Sequence, residues 1–68
     1  MLDRNALRAE IVRNGMTQKD MAKMIGISEK TFISRMSKGA FGTDEAEIMI
    51  RALGIKNPAT IFFAESVT

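Results

Sequence analysis

Apolar residues recur along this chain at three- and four-residue spacing, and a glycine follows four of the stretches in which they do so. Leu7 and Ile11 lie four apart, with Ala6 or Met16 beside them. Met21, Ala22 and Ile25 form a second face, and Ala46, Met49, Ile50 and Leu53 a fourth. Between these lies a third stretch, built on Phe32, Ile33 and Met36. Gly15, Gly26, Gly39 and Gly54 stand where helices stop, because glycine reaches the left-handed backbone that ends a helix. Each segment also opens on a plausible cap. Asp3 precedes the first, Thr17 and Asp20 make a T-x-x-D box for the second, and Ser28 precedes the third. Thr43, with Asp44 and Glu45 in the first turn, opens the fourth, and Asn57-Pro58 opens a short fifth anchored by Ile61 and Phe62. No segment alternates with period two, and there is no repeat, low-complexity tract or long linker. The pattern predicts an all-α fold, five short helices around one core, with residues 1–68 forming a single domain.

Size sharpens that expectation. A chain of 68 residues buries only about 60% of the surface its unfolded form exposes. Its core is therefore expected to supply no more than roughly 3–5 kcal/mol. There is no cysteine to form a disulfide, which fits a reducing cytoplasm. Homodimer formation is the remaining common way to stabilise such a scaffold. Ile61, Phe62 and Phe63 follow one another, and one narrow helix face cannot bury all three. At least one ring is expected at the surface, so Phe63 and Val67 are candidate dimer-interface residues, with fraying against the domain's own core as the alternative. The six methionines read as core filler at helical spacing.

Composition also narrows the chemistry. His, Cys, Trp and Tyr are all absent, which removes the commonest general base, the commonest zinc ligands and thiol nucleophiles. Asp3, Glu10, Asp20 and Glu29 are scattered rather than paired. An enzyme is not expected, nor a metal, a cofactor or a small-molecule substrate. The first residues lack the apolar stretch of a signal peptide, and the longest apolar run, Ile61–Ala64, cannot span a bilayer. Charge is unevenly spread: residues 1–38 hold eight basic and four acidic side chains, net +4, while residues 39–68 hold two and four, net −2. A basic half of this kind suits phosphate binding, although a solvated helix surface would look the same.

The basic half contains the segment with the most to say, Thr17 to Gly39. Two capped helices there are separated by a three-residue turn, with small Ala22 where the helices would cross and Gly26 where the chain turns. That is a helix-turn-helix over about 17–38, whose second helix usually enters the major groove of DNA. Which side chains would face the groove depends on the buried anchor. With Phe32 inside, the outward set is Ser28, Glu29, Lys30, Ile33 and Ser34. With Ile33 inside, it rotates by one residue to Lys30, Thr31, Ser34 and Arg35. Lys30 and Ser34 occur in both sets: the first suits guanine O6 and N7, the second either donors or acceptors. Glu29 either accepts from a cytosine amino group or complements the positive start of its helix, and the latter is favoured. Phosphate contacts are expected from Thr17 and Gln18 at a helix start, with Lys19, Lys38 and Arg13 as longer-range cations.

These residues resemble the lambda-repressor-like helix-turn-helix family, the Cro/C1-type or XRE-type regulators of bacteria and their phages. The likeness is carried by Met16–Ala22, Ile25-Gly-Ile-Ser28, Phe32–Met36 and Gly39, and continues through Thr43–Ala46 and Leu53-Gly-Ile55. The tail from Asn57 to Phe63 looks like that of small phage and prophage regulators of Gram-positive bacteria. The resemblance implies a compact five-helix DNA-binding domain acting as a dimer on a two-fold operator. With the chain ending at Thr68, it further implies the short, Cro-like form. The expected partners are double-stranded DNA and a second copy of the chain, in the cytoplasm. The competing expectation is an antitoxin or other protein-interaction module on the same fold, although the five helices leave few residues for a partner-wrapping segment. One departure stands out: Phe32 and Met36 lie four apart where many relatives have inward residues three apart, a spacing that Ile33 and Met36 provide.

Overall fold

Local capping chemistry sets the helix boundaries in the computed structural model, which describes residues 1–64. Helix α1 runs Arg4–Arg13, α2 Gln18–Ile25, α3 Glu29–Lys38, α4 Thr43–Leu53 and α5 Ala59–Phe62. Among the described residues there is no strand. The Asp3 carboxylate accepts from the Ala6 amide at the start of α1 (3.1 Å). Ser28 Oγ accepts from the Thr31 amide at the start of α3 (3.1 Å). At α4 the cap lies one residue earlier than expected. Gly42 takes the N-cap position and Thr43 is already helical. The Gly42 amide donates to Glu45 Oε1 (2.8 Å), so the carboxylate half of a capping box is present, while no side chain at the N-cap accepts from the first turn. Asn57 starts α5 through its backbone carbonyl, which accepts from both the amide and hydroxyl of Thr60.

The core is one cluster: Leu7 and Ile11 from α1, Met21 and Ala22 from α2, Phe32 and Met36 from α3, Met49 and Leu53 from α4, and Ile61 and Phe62 from α5, joined by Leu2 and Ile55. No polar or charged side chain is buried among the described residues. Helix α2 is central, packed against both α3 and α4, while α1 packs on α5. Phe41, in the loop after α3, tilts its ring against Phe32 with centroids 5.2 Å apart. The first residues are tied in from two directions. The Asp3 amide donates to the Ile61 carbonyl (2.7 Å), and Arg4 Nη1 donates to the Ser37 carbonyl (2.9 Å) at the end of α3. Phe63 is the exposed ring of the C-terminal trio, at 75%. Val67 lies outside the described residues. No described helix is long and apolar enough to cross a membrane.

Candidate nucleic-acid interface

The turn between α2 and α3 is built from three residues, Gly26-Ile27-Ser28. Gly26 adopts φ +92°, a conformation that a side chain would strain, and the Gly26 and Ile27 amides both donate to the Ala22 carbonyl. Ala22 itself is buried, and its small side chain lets α3 cross α2 closely. Ser28 then starts the second helix, so the crossing is locked at the turn by backbone bonds rather than by long side chains.

Burial fixes the rotation of α3. Phe32 is fully buried and Met36 nearly so, whereas Ile33 is 49% exposed. The four-residue pair therefore anchors the helix, and the outward set is Ser28, Glu29, Lys30, Ile33 and Ser34, all of them exposed. Thr31 and Arg35, which belong to the other rotation, are half-buried. Arg35 forms an ion pair with Glu45, the same carboxylate that caps α4, so its charge is neutralised within the fold. Ser28 donates its hydroxyl proton to Thr31 Oγ1 (2.9 Å) while accepting from the Thr31 amide. One acceptor lone pair remains on Ser28, and Thr31 keeps its own hydroxyl proton. Lys30 and Ser34 make no side-chain hydrogen bond or ion pair among the described residues.

The basic side chains divide by whether a carboxylate faces them. Arg13 pairs with Glu10 on its own helix, and Arg4 is committed to the Ser37 carbonyl. Lys19, Lys30 and Lys38 are exposed and form no ion pair among the described residues. Lys23 and Arg8 are likewise exposed without an ion pair among the described residues, and Arg4 bonds only a carbonyl. The lysines, Arg8 and Arg4 thus carry the uncompensated charge of this half, while Arg13 and Arg35 are paired with carboxylates.

At the start of α2, the capping box is complete. The Thr17 amide donates to Asp20 Oδ2 (2.9 Å), and the Asp20 amide donates to Thr17 Oγ1 (3.1 Å). The box leaves the Gln18 and Lys19 amides as the first-turn donors outside it. Gln18 is half-buried, in a shallow depression shared with Arg8, Val12 and Met16. The Thr17 amide holds the Asp20 carboxyl below the ordinary value of 3.8. The Thr17 hydroxyl and the charges of Lys23 and Lys19 act in the same direction, against slight desolvation. A carboxyl whose pKa is lowered on folding contributes stability above its unfolded value and loses it as pH falls through the folded one. The thermal midpoint of the wild-type chain is therefore expected to exceed that of Asp20→Asn at neutral pH. The gap should narrow as pH drops below about 3.9. An equal gap at neutral pH and well below pH 3.9 would show that the charge of Asp20 is irrelevant to the cap.

A family model described as an antitoxin Xre-like helix-turn-helix domain matches residues 3–54. No curated protein and no solved structure matches the chain. The matched span starts at the N-cap of α1 and stops at the C-cap of α4, so it encloses the capped turn and both of its helices and leaves α5 outside. The chain belongs to the family of antitoxin Xre-like helix-turn-helix domains.

Proposed function

We propose that this protein is a sequence-specific reader of double-stranded DNA, a small Cro-like repressor that occludes a promoter as a dimer on a two-fold operator. The observation that carries this reading is the outer face of α3: Lys30 and Ser34 stand exposed and uncommitted, opposite the buried Phe32 and Met36. In this reading Lys30 donates to guanine O6 and N7, and Ser34 and Ser28 add hydrogen bonds to neighbouring base edges. Glu29 sits in the first turn of α3 and complements its positive end. Thr31 contributes its remaining hydroxyl proton at the edge of the contact. Thr17, Gln18 and Lys19 seat a phosphate at the start of α2, with Lys38 as a second charge contact. Arg13 and Arg35 play a smaller part, because each must first leave its carboxylate. All 68 residues act as one domain.

Dimerisation is supported by Phe63. Its exposed ring lies at a mainly apolar groove of about 220 Å³ lined by Leu2, Phe41, Ala46, Ile50 and Phe62, with Thr43 and Glu47 also on its wall. A ring beside a groove on one surface is self-complementary, as a two-fold contact between identical chains requires. Selection of binding sites from random duplexes, followed by footprinting, tests both points at once. A two-fold site is expected, and recovery of unrelated sequences would overturn sequence-specific reading. On the selected site, Lys30→Ala is expected to cost about 1–3 kcal/mol and to blur preference at one position per half-site. Equal losses on selected and random duplexes would reduce Lys30 to a charge contact.

The description of the matching family favours a second reading, an antitoxin whose helical surface holds a protein partner. Purified protein that binds no duplex at low salt, yet captures a protein encoded beside it, would establish that reading instead.

A further inference from the structure

We propose that Ile33 reads the 5-methyl group of a thymine beside the base contacted by Lys30. This inference rests on the DNA-binding reading above and adds to it the chemistry of one operator position. Ile33 is 49% exposed on α3, although its neighbours Phe32 and Met36 show that the helix has a well-filled apolar face for such a side chain. It stands one helical turn from Glu29 and from Ser37, and three residues from Lys30, all of them exposed and polar. A branched aliphatic residue gains little at a solvated helix position, where it loses side-chain freedom and forgoes the better propensity of a straight chain.

The surroundings define what could cover it. An apolar protein surface generally needs a contiguous patch of several hundred Å². Ile33 is the one exposed apolar side chain of α3, and Glu29, Lys30, Ser34 and Ser37 are its exposed neighbours along the helix, so a small apolar partner set within a polar, anionic surface fits it. The unpaired Lys30 and Lys38 on the same helix supply the charge complementarity. In the major groove the C5-methyl of thymine is the one apolar group on a base edge, flanked by hydrogen-bonding atoms and phosphates. Lys30 and Ile33 lie on adjacent rows of one helix face and would therefore reach neighbouring base pairs. The half-site implied is a guanine for Lys30 with a thymine next to it, on either strand.

The test uses the selected operator with each thymine replaced in turn by deoxyuridine, which removes the methyl and leaves every hydrogen-bonding group in place. One position per half-site is expected to weaken wild-type binding about fourfold, the value of one buried methyl-sized group. Ile33→Ala should bind the parent operator more weakly and lose its sensitivity at that same position. Because Ile33 is outside the core, helix content and thermal midpoint of the variant should stay at the wild-type values. Insensitivity of the wild type to every deoxyuridine, or a full methyl effect retained in Ile33→Ala, would overturn the assignment. A change in oligomeric state of Ile33→Ala without DNA would overturn it in favour of an interface between copies. Failure of the wild type to bind any duplex would instead remove the parent reading, and the inference with it.

Discussion

Phe32→Ala should leave the chain without a cooperative thermal transition at physiological temperature, while Ile33→Ala melts within a few degrees of the wild type. Truncating a buried phenylalanine costs about 3–5 kcal/mol, from lost transfer free energy and the cavity left behind. A core of this size supplies roughly that much in total. Phe32 also carries the ring contact with Phe41, which closes the loop between α3 and α4. Removing it loosens the recognition helix at both ends of its packing. Ile33, one residue on, has half its surface in water and little to lose. Circular dichroism melts of the two variants side by side check this directly. The reverse order, with Ile33→Ala the more damaging, would mean that the helix sits in the other rotation, with Ile33 rather than Phe32 as its anchor.

Operator affinity is expected to fall by about 10²-fold between roughly 50 and 200 mM salt, given two phosphate contacts in each of two copies. The division between paired and unpaired cations makes this prediction specific. Lys19→Ala and Lys38→Ala should each lower the slope of log affinity against log salt by about one for every phosphate left without its lysine. Arg35→Ala should change that slope less than either lysine variant does and instead lower the melting temperature, because its charge is held by Glu45. Binding titrations at four or five salt concentrations separate these outcomes. A flat response in the wild type would remove the DNA-binding reading, whatever the fold.

How much of this was legible from the sequence depended on the range of the interactions involved. The cap of α1, the Thr17–Asp20 box and the Ser28 cap each satisfy their partners within three residues, so residue type and spacing sufficed. The turn at Gly26 was legible for the same reason. The rotation of α3 was not, since Phe32 with Met36 and Ile33 with Met36 both make acceptable helical faces. Only packing against α2 and the Phe41 ring distinguishes them. Arg35 read as a base contact in one rotation, because nothing local betrays a pair formed with a carboxylate ten residues on. The α4 cap was misplaced by one residue because threonine at position 43 resembles an N-cap, while Gly42 has no side chain to advertise itself. Leu2 went unnoticed as a core residue, lying before any helix and buried against distant parts of the chain. The roles of the outward residues toward DNA belong to chemistry outside the chain, and the binding experiments above address them.

The bond from the Asp3 amide to the Ile61 carbonyl bears on how the protein is made. Synthesis proceeds from the N-terminus, so α1 emerges first, yet the acceptor that seats its start is among the last residues described. The capping bonds of the turn from Thr17 to Lys38 lie within its own 22 residues, although its buried side chains share the core with the other helices. The core that Leu2, Leu7 and Ile11 join is therefore complete only once the chain has been made as far as α5, whatever local structure the capped turn has by then.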